Sequence, residues 1–520
     1  MRIVDLLERD ALLFEAKTAL LVADELAHSV ESVTFEALRN RVLRLAAGLQ
    51  SCGVRSGNRI ALMADNGLLH FDIYLAACYL GAAAVPLSTR WTDAELTTIL
   101  SDAEPTISVA DNKHISKLKQ AKTVTNSGLL ISTDEPAYAD LLAYEPLDDL
   151  NRSQADDTAL IMYTSGTTSQ PKGVCLSQGA LAFNGLTMAL VQRFQPDDVF
   201  LSTTPMYHTA AGSRVCSMLA DAQTHVVLRH FSAEAFFAAV AQYQVSIALL
   251  VPTQLRRILD HPNLAQANLS SLRLITYGAA STPSTLIREA QERLGCNLYQ
   301  AYGITECVSN LTGLMPQDHK LALSERPELL KSCGRAVPGV RIQVRDAQGR
   351  EVPSAEVGEV WARTPKAMSG YWRNPGLTQK TMVDGWLRTG DLGHLDSEGY
   401  LYITGRVTEM LISGGVNIHP SQIEAVICDH PKVTDAAVVG RANSEWGERP
   451  VAFVELCADS SCDSSSEQML NDTTEELRSW CSGRLAKPQV PDEFIVMDNL
   501  PRTSAGKVQK ASLKEHLVQP

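Results

Sequence analysis

Leu38, Val42, Leu45 and Leu49 recur at helical spacing, and a short apolar run from Ile60 to Met63 follows them. This pattern predicts a helix and then a buried strand. It repeats at once, with a helix through Ile73 and Tyr79 and another apolar run near Val85. The stretch from Ile73 to Leu87 is the longest apolar run, but Gly81 and Pro86 break it and it is too short to span a bilayer. It reads as a buried helix leading into a buried strand. Strands that are apolar throughout are covered on both faces, so the alternation indicates α/β layering around parallel strands. Further strand candidates are Val199 to Ser202, Val226 to Leu228, Ile247 to Val251, Leu274 to Tyr277 and Asn297 to Ala301, with Pro283 at a helix start between the last two.

From about Val340 the texture changes. VRIQVRD, GEVWAR and GYLYIT are short segments between Gly- and Asp-containing turns, which predicts antiparallel β in a small barrel or curved sheet. After Arg406 it changes again. SQIEAVICDH and EELRSWCSGRLA read as helices, DAAVVG and PVAFVELC as strands. The tail is therefore expected to be a small α+β domain, with residues 1–407 forming the large unit and 408–520 the small one. The Ser/Asp-rich piece Ala458 to Ser466 reads as a surface loop.

Of the 520 residues, 45% are hydrophobic and 20% charged, the balance of a soluble globular chain with room for more than one core. A net charge of −13 without a long basic run argues against nucleic acid as a partner. Eleven cysteines are scattered with no C-x-x-C pair, which suits a reducing, cytoplasmic setting better than a disulfide frame or zinc site. The opening MRIVDLLERDALLF mixes charged and apolar residues, so it predicts an amphipathic helix and not a signal peptide.

Four segments carry candidate chemistry. Tyr163 to Gly173, YTSGTTSQPKG, reads as strand, tight loop, strand. Backbone N–H groups and the hydroxyls of Thr164, Ser165, Thr167 and Thr168 around Gly166 can face phosphate oxygens, with Lys172 as a point charge. A solvated Ser/Thr/Gly turn has the same composition. In QAYGITE, which follows a predicted strand, Tyr302 offers a flat face for a purine, Thr305 a hydroxyl for phosphate and Glu306 a hard oxygen for Mg²⁺. The plain alternative is a core tyrosine and a solvated carboxylate. In WLRTGDLG, Asp391 between two glycines can hold a ribose diol, with Arg406 of ITGR a second candidate, although an Asx turn is the commoner fate of such an aspartate. In LPRTSAGKVQK, Lys507 can bring positive charge to a developing anion, where the alternative is an ordinary surface lysine.

In this order, YTSGTTSQPKG, QAYGITE, WLRTGDLG, ITGRVTEMLISGGVNIHPSQIE and LPRTSAGK resemble the adenylate-forming superfamily of acyl-CoA synthetases, aryl-CoA ligases, luciferases and adenylation domains, over nearly the whole chain. The resemblance implies a large N-terminal domain of two α/β sheets plus a β-barrel, capped by a small mobile α+β domain. It implies ATP and Mg²⁺. A carboxylate attacks the α-phosphate, pyrophosphate leaves, and a second nucleophile then displaces AMP from the acyl-AMP. On this chain it implies that Thr164 to Thr168 and Lys172 hold pyrophosphate, that Thr305 touches the α-phosphate and that Glu306 binds Mg²⁺. Tyr302 would stack on adenine, with Gln300 at its amino group and Gly303, Ala279 and Ala280 beside the nucleotide. Asp391 and Arg406 would hold ribose, and Lys507 would bridge the phosphate and the attacking carboxylate. His208, in TPMYHTAAG, matches the position that gates the acyl pocket, whose walls would include Phe183, Gly278, Ala279 and Ala280. Gly414, Gly415 and Trp446 would border the acceptor's path.

Family members that activate amino acids carry an aspartate where this chain has Met206 to Thr209, so the acid is expected to lack an α-amine and to be apolar or ring-bearing. The chain departs from the family pattern at three places. Ser169 replaces a loop glycine, and Thr408 and Glu409 replace the hinge pair. Gln489 and Asp492 stand where CoA ligases place lysines facing the CoA phosphates, and an aspartate beside a phosphate is unfavourable. CoA remains the first acceptor, the amine of an amino acid, as in coronafacate ligases, the second, and a carrier-protein thiol the third. No nucleic-acid or membrane partner is implied, and a homodimer is compatible. A non-catalytic nucleotide-binding homologue would lack Lys507 or Glu306, and both are present.

Overall fold

A computed structural model describes residues 1–520 apart from 25, 27, 126–127, 151–152, 165–170, 415, 458–466, 503–507 and 518–520. The strand–helix alternation builds two large sheets. One has nine strands, in the spatial order Arg335–Ala336, Thr312–Leu314, Asn297–Tyr302, Leu274–Gly278, Ile247–Leu250, Val199–Ser202, Thr224–Leu228, Thr18–Ala23 and Ser29–Thr34. Its central neighbours pair in parallel and its edges antiparallel. The other has seven strands, in the order Gly370–Tyr371, Lys172–Ser177, Thr158–Thr164, Ala83–Pro86, Arg59–Met63, Ile107–Ala110 and Leu129–Ser132.

The apolar runs explain this layering. Every residue of Ala83–Pro86 and of Ile107–Ala110 is buried, which requires helices on both faces. The predicted helix spans Phe35–Ser51, capped by the Thr34 hydroxyl, and Leu38, Val42, Leu45 and Leu49 all lie in its buried face. Each such side chain contributes about 1.5–3 kcal/mol. The helix Leu68–Leu80 is buried nearly all round and ends at Gly81 in the left-handed conformation (φ 66°), so the longest apolar run belongs to the core. No helix among the described residues is long and apolar enough to cross a membrane.

The antiparallel unit follows from Arg341. Its five strands are Arg341–Arg345, Gly358–Arg363, Met382–Val383, Trp386–Leu395 and Leu401–Arg406. The tail builds a further five-stranded sheet, from Leu411–Ser413, Val416–Ile418, Val433–Asn443, Gly447–Leu456 and Glu493–Val496. With the helices Pro420–Cys428 and Glu467–Ser482 it encloses a core of its own that includes Ile423, Ile427, Val438, Val454, Leu477 and Phe494.

Candidate active site

Three of the candidate loops leave the carboxyl ends of strands in the nine-stranded sheet, where ligands gather in α/β folds. Val199–Ser202 leads to His208, Leu274–Gly278 to Ala279 and Ala280, and Asn297–Tyr302 to Thr305 and Glu306. Gln300 lies within the expected strand, and Tyr302 ends it one residue beyond the expected bound, not in the loop after it. Gly303 lies so close to the Ser309 carbonyl that a Cβ there would stand 1.7 Å from its oxygen, so only glycine fits. Thr305–Cys307 then makes a single 3₁₀ turn.

Three motif segments meet at one hydroxyl. Thr209 Oγ1 donates to Thr305 Oγ1 at 3.1 Å and lies 3.1 Å from Met162 Sδ, in the strand that ends at Thr164. Thr209 follows His208, which is half-buried with its ring 4.8 Å from that of Tyr207. The loop before His208 is clamped. Asn66 Nδ2 donates to the Thr204 carbonyl at 3.0 Å, Asn66 Oδ1 accepts from Met206 N at 2.8 Å, and Tyr74 OH donates to the Met206 carbonyl at 2.9 Å. These three bonds pin the loop's backbone and so limit where His208 can stand.

Glu306 Oε1 accepts from Tyr371 OH at 2.8 Å, and the Glu306 carbonyl accepts from Met368 N at 2.7 Å. Burial, and then the Glu306 carboxylate, push the Tyr371 phenol well up, so it stays a donor. Tyr371 pairs with Val174, beside the end of the hydroxyl-rich loop, and Thr164 pairs with Lys172 across that loop's base. Ser165, Gly166, Thr167, Thr168 and Ser169 lie outside the described residues, as do Gly415 and Lys507.

Asp391 accepts from Tyr302 OH at Oδ2 (2.7 Å) and from Arg406 Nε at Oδ1 (2.8 Å). It does not form an Asx turn. It lies inside the strand Trp386–Leu395, directly opposite Arg406, and this long-range pairing takes the carboxylate that a turn would have used locally. Gln300 Oε1 is 3.5 Å from Tyr277 OH. Ala279 takes a positive φ of 67°, and it and Ala280 are exposed while Gly278 is buried. Phe183, half-buried, packs its ring against Gly339.

In the tail, Gly414 N donates to the Trp446 carbonyl at 2.8 Å and the Trp446 indole, 44% exposed, lies over Gly414. Asp492 does not present a bare charge, contrary to the sequence-based expectation. Arg449 Nε reaches both its carboxylate oxygens, at 3.0 and 2.9 Å, and Arg478 Nη2 donates to its backbone carbonyl at 2.7 Å. Arg449, Arg478, Lys487 and Asp492 line a cleft of about 370 Å³. Glu409 is likewise paired, with Lys510 Nζ at 2.7 Å, and that ammonium is also 2.8 Å from Glu424. Thr209, Tyr371, Arg449 and Arg478 escaped the sequence reading because each acts through a partner far away in the chain.

Residues 7–372 match the model of the AMP-binding enzyme family, and residues 422–507 that of the AMP-binding enzyme C-terminal domain. The chain is 32% identical to an indoleacetate–CoA ligase of Aromatoleum aromaticum, over 99% of this chain and 98% of that one. Among solved structures it resembles the amide bond synthetase McbA of Marinactinospora thermotolerans, with TM-score 0.87 and 28% identity over 99% of both chains. It also resembles o-succinylbenzoate CoA synthetase (MenE) of Bacillus subtilis in complex with the acyl-adenylate intermediate OSB-AMP, with TM-score 0.84 and 28% identity over 98% of this chain and 97% of that one. With matching motifs, fold and both domains, the chain belongs to the AMP-binding enzyme family and is an ATP-dependent, AMP-forming acid ligase.

Proposed function

We propose that this enzyme activates a carboxylic acid lacking an α-amine as its acyl-AMP and passes the acyl group to CoA in the cytoplasm. Residues 1–407 carry the adenylation site and residues 408–520 act as its lid. Two anions must meet in the first step, so the site has to cancel charge before the bond forms. Thr164 to Thr168 and Lys172 hold the departing pyrophosphate, Thr305 the α-phosphate, Tyr302 and Gln300 the adenine, and Asp391 and Arg406 the ribose. Magnesium fits beside Glu306, whose carboxylate is oriented by Tyr371, and when bound it supplies positive charge to the phosphates. Lys507 brings a cation to the attacking carboxylate, and His208 stands at the acyl pocket. Lys507→Ala is expected to abolish acyl-AMP formation while sparing transfer from supplied acyl-AMP. Pyrophosphate exchange and single-turnover transfer check this, and equal loss of both half-reactions contradicts it.

One observation carries the choice of acceptor. The lid cleft sets three cations, Arg449, Arg478 and Lys487, against the single carboxylate of Asp492, and Arg449 lies 5.8 Å from the ring centre of exposed Trp446. A flat aromatic face beside a cationic cleft suits the adenine and phosphates of CoA. The likeness to an amide bond synthetase favours an amine as the second reading. The test supplies ATP, Mg²⁺ and a panel of acids with CoA in one reaction and amino acids in another. Mass spectrometry should find a thioester in the first. An amide in the second alone overturns the choice of CoA.

A further inference from the structure

Lys366 is fully buried, with none of its surface exposed. Its ammonium donates to Asn184 Oδ1 at 3.2 Å, and among the described residues no carboxylate forms an ion pair with it. That bond fixes the amide's orientation, and the other end, Asn184 Nδ2, is a buried donor that finds no acceptor among the described residues. The two side chains thus present donors only. Burial pushes the Lys366 ammonium down to about 8, with Cys307 offsetting part of the effect. An unpaired charge at such a site is a cost that packing alone does not require, since an apolar side chain would fill the space. The other arginine or lysine buried among the described residues, Arg214, differs because its guanidinium lies 4.8 Å over the Phe200 ring.

The location connects this pair to the reaction. Asn184 follows Phe183 on the helix Gln178–Gln192, and the Phe183 ring abuts Gly339. Gly339, Thr364 and Pro365 line a cleft of about 690 Å³, and Lys366 is the next residue inward. Two residues on, Met368 binds the Glu306 carbonyl. Lys366 therefore sits between the cleft wall and the turn that carries Thr305 and Glu306.

We propose that Lys366 and Asn184 receive a second carboxylate of the acid substrate, at the end remote from the carboxylate that is adenylated, so that the preferred substrates are dicarboxylic acids. This rests on the acid-activating reaction proposed above. A carboxylate has acceptors for both the ammonium and the amide N–H, and its charge matches that of a buried ammonium with which no described carboxylate forms an ion pair.

The test measures ATP–pyrophosphate exchange with matched acids, hexanoate against adipate and phenylacetate against homophthalate, for the wild-type enzyme, Lys366→Met and Asn184→Asp. Asn184→Asp places a carboxylate beside the ammonium and supplies the anion internally. The wild-type enzyme should favour the diacid of at least one pair by about tenfold or more in kcat/KM, a difference well within the reach of one charged contact. Both variants should cut that ratio by about tenfold, to near one. Lys366→Met should melt at or above the wild-type temperature, and the favoured diacid should raise the melting temperature of the wild-type protein alone. Exchange with the monoacids and an unchanged ratio in both variants overturns this proposal by itself. If no acid of either series supports exchange, the acid-activating reaction falls, and this proposal with it.

Discussion

Asp10 shows how one side chain sets a pH response. It lies in the buried face of the first helix, and its Oδ1 accepts from Arg9 Nε at 2.8 Å. Burial raises its carboxyl to about 7, and Arg9 offsets only part of this. The folded protein then holds this proton more tightly than the unfolded chain, whose carboxyl titrates near its ordinary value of about 4. Its stability contribution is present below that value and is lost as pH rises through about 7. The melting temperature is expected to fall more between pH 5 and pH 8 for the wild-type protein than for Asp10→Asn, and parallel curves for the two would exclude the effect. Legibility was uneven at this scale. Thr305 and Glu306 stand out in the sequence because a local string places a hydroxyl and a carboxylate together. Thr209 and Tyr371, which bind them, carry no local mark, since their roles arise from contacts across 96 and 65 residues of chain.

Among the elements, the run of short buried strands was legible because each is apolar throughout and flanked by helical spacing. Ile247–Leu250 and Leu274–Gly278 fall within a residue of the expected bounds. What the pattern does not encode is spatial order, as in the placement of Val199–Ser202 between Ile247–Leu250 and Thr224–Leu228. Nor does it disclose that Asp391 belongs to a strand, because its flanking glycines carry a turn's signature while its pairing is long-range. Gly414 makes a prediction at this scale. It turns the chain between Leu411–Ser413 and Val416–Ile418 with φ 57°, and a Cβ there would come 2.6 Å from the Trp446 ring. Gly414→Ala should therefore push the indole aside. A loss of about 1.4 kcal/mol corresponds to a tenfold rise in KM for CoA. Steady-state kinetics with varied CoA checks this, and an unchanged KM removes Trp446 from the acceptor's path.

For the whole molecule, the segment that opens the tail is tied into the tail's own fold by charge. Lys510 bonds Glu409 at the junction and Glu424 in the tail's first helix. Burial opposes the ammonium, but Glu424 and Glu409 together carry it above the usual lysine range. Lys510→Met leaves two half-buried carboxylates without their cation, a loss of about 1–3 kcal/mol. The tail's unfolding should move to lower urea, and acyl transfer should slow more than pyrophosphate exchange. Equal slowing of both steps would assign Lys510 to the adenylation site itself. The change from the large sheets to the tail's sheet was legible because the hydrophobic period changes near Val340 and again after Arg406, whereas the tie between Lys510 and Glu409 joins residues 101 apart and leaves no periodic trace. Asp391 has a last consequence. Tyr302 and Arg406 already occupy both its oxygens. A sugar diol arriving there would share these oxygens with two donors already in place and gain less than from an open carboxylate. Nucleoside without phosphate should then be a poor competitor of ATP.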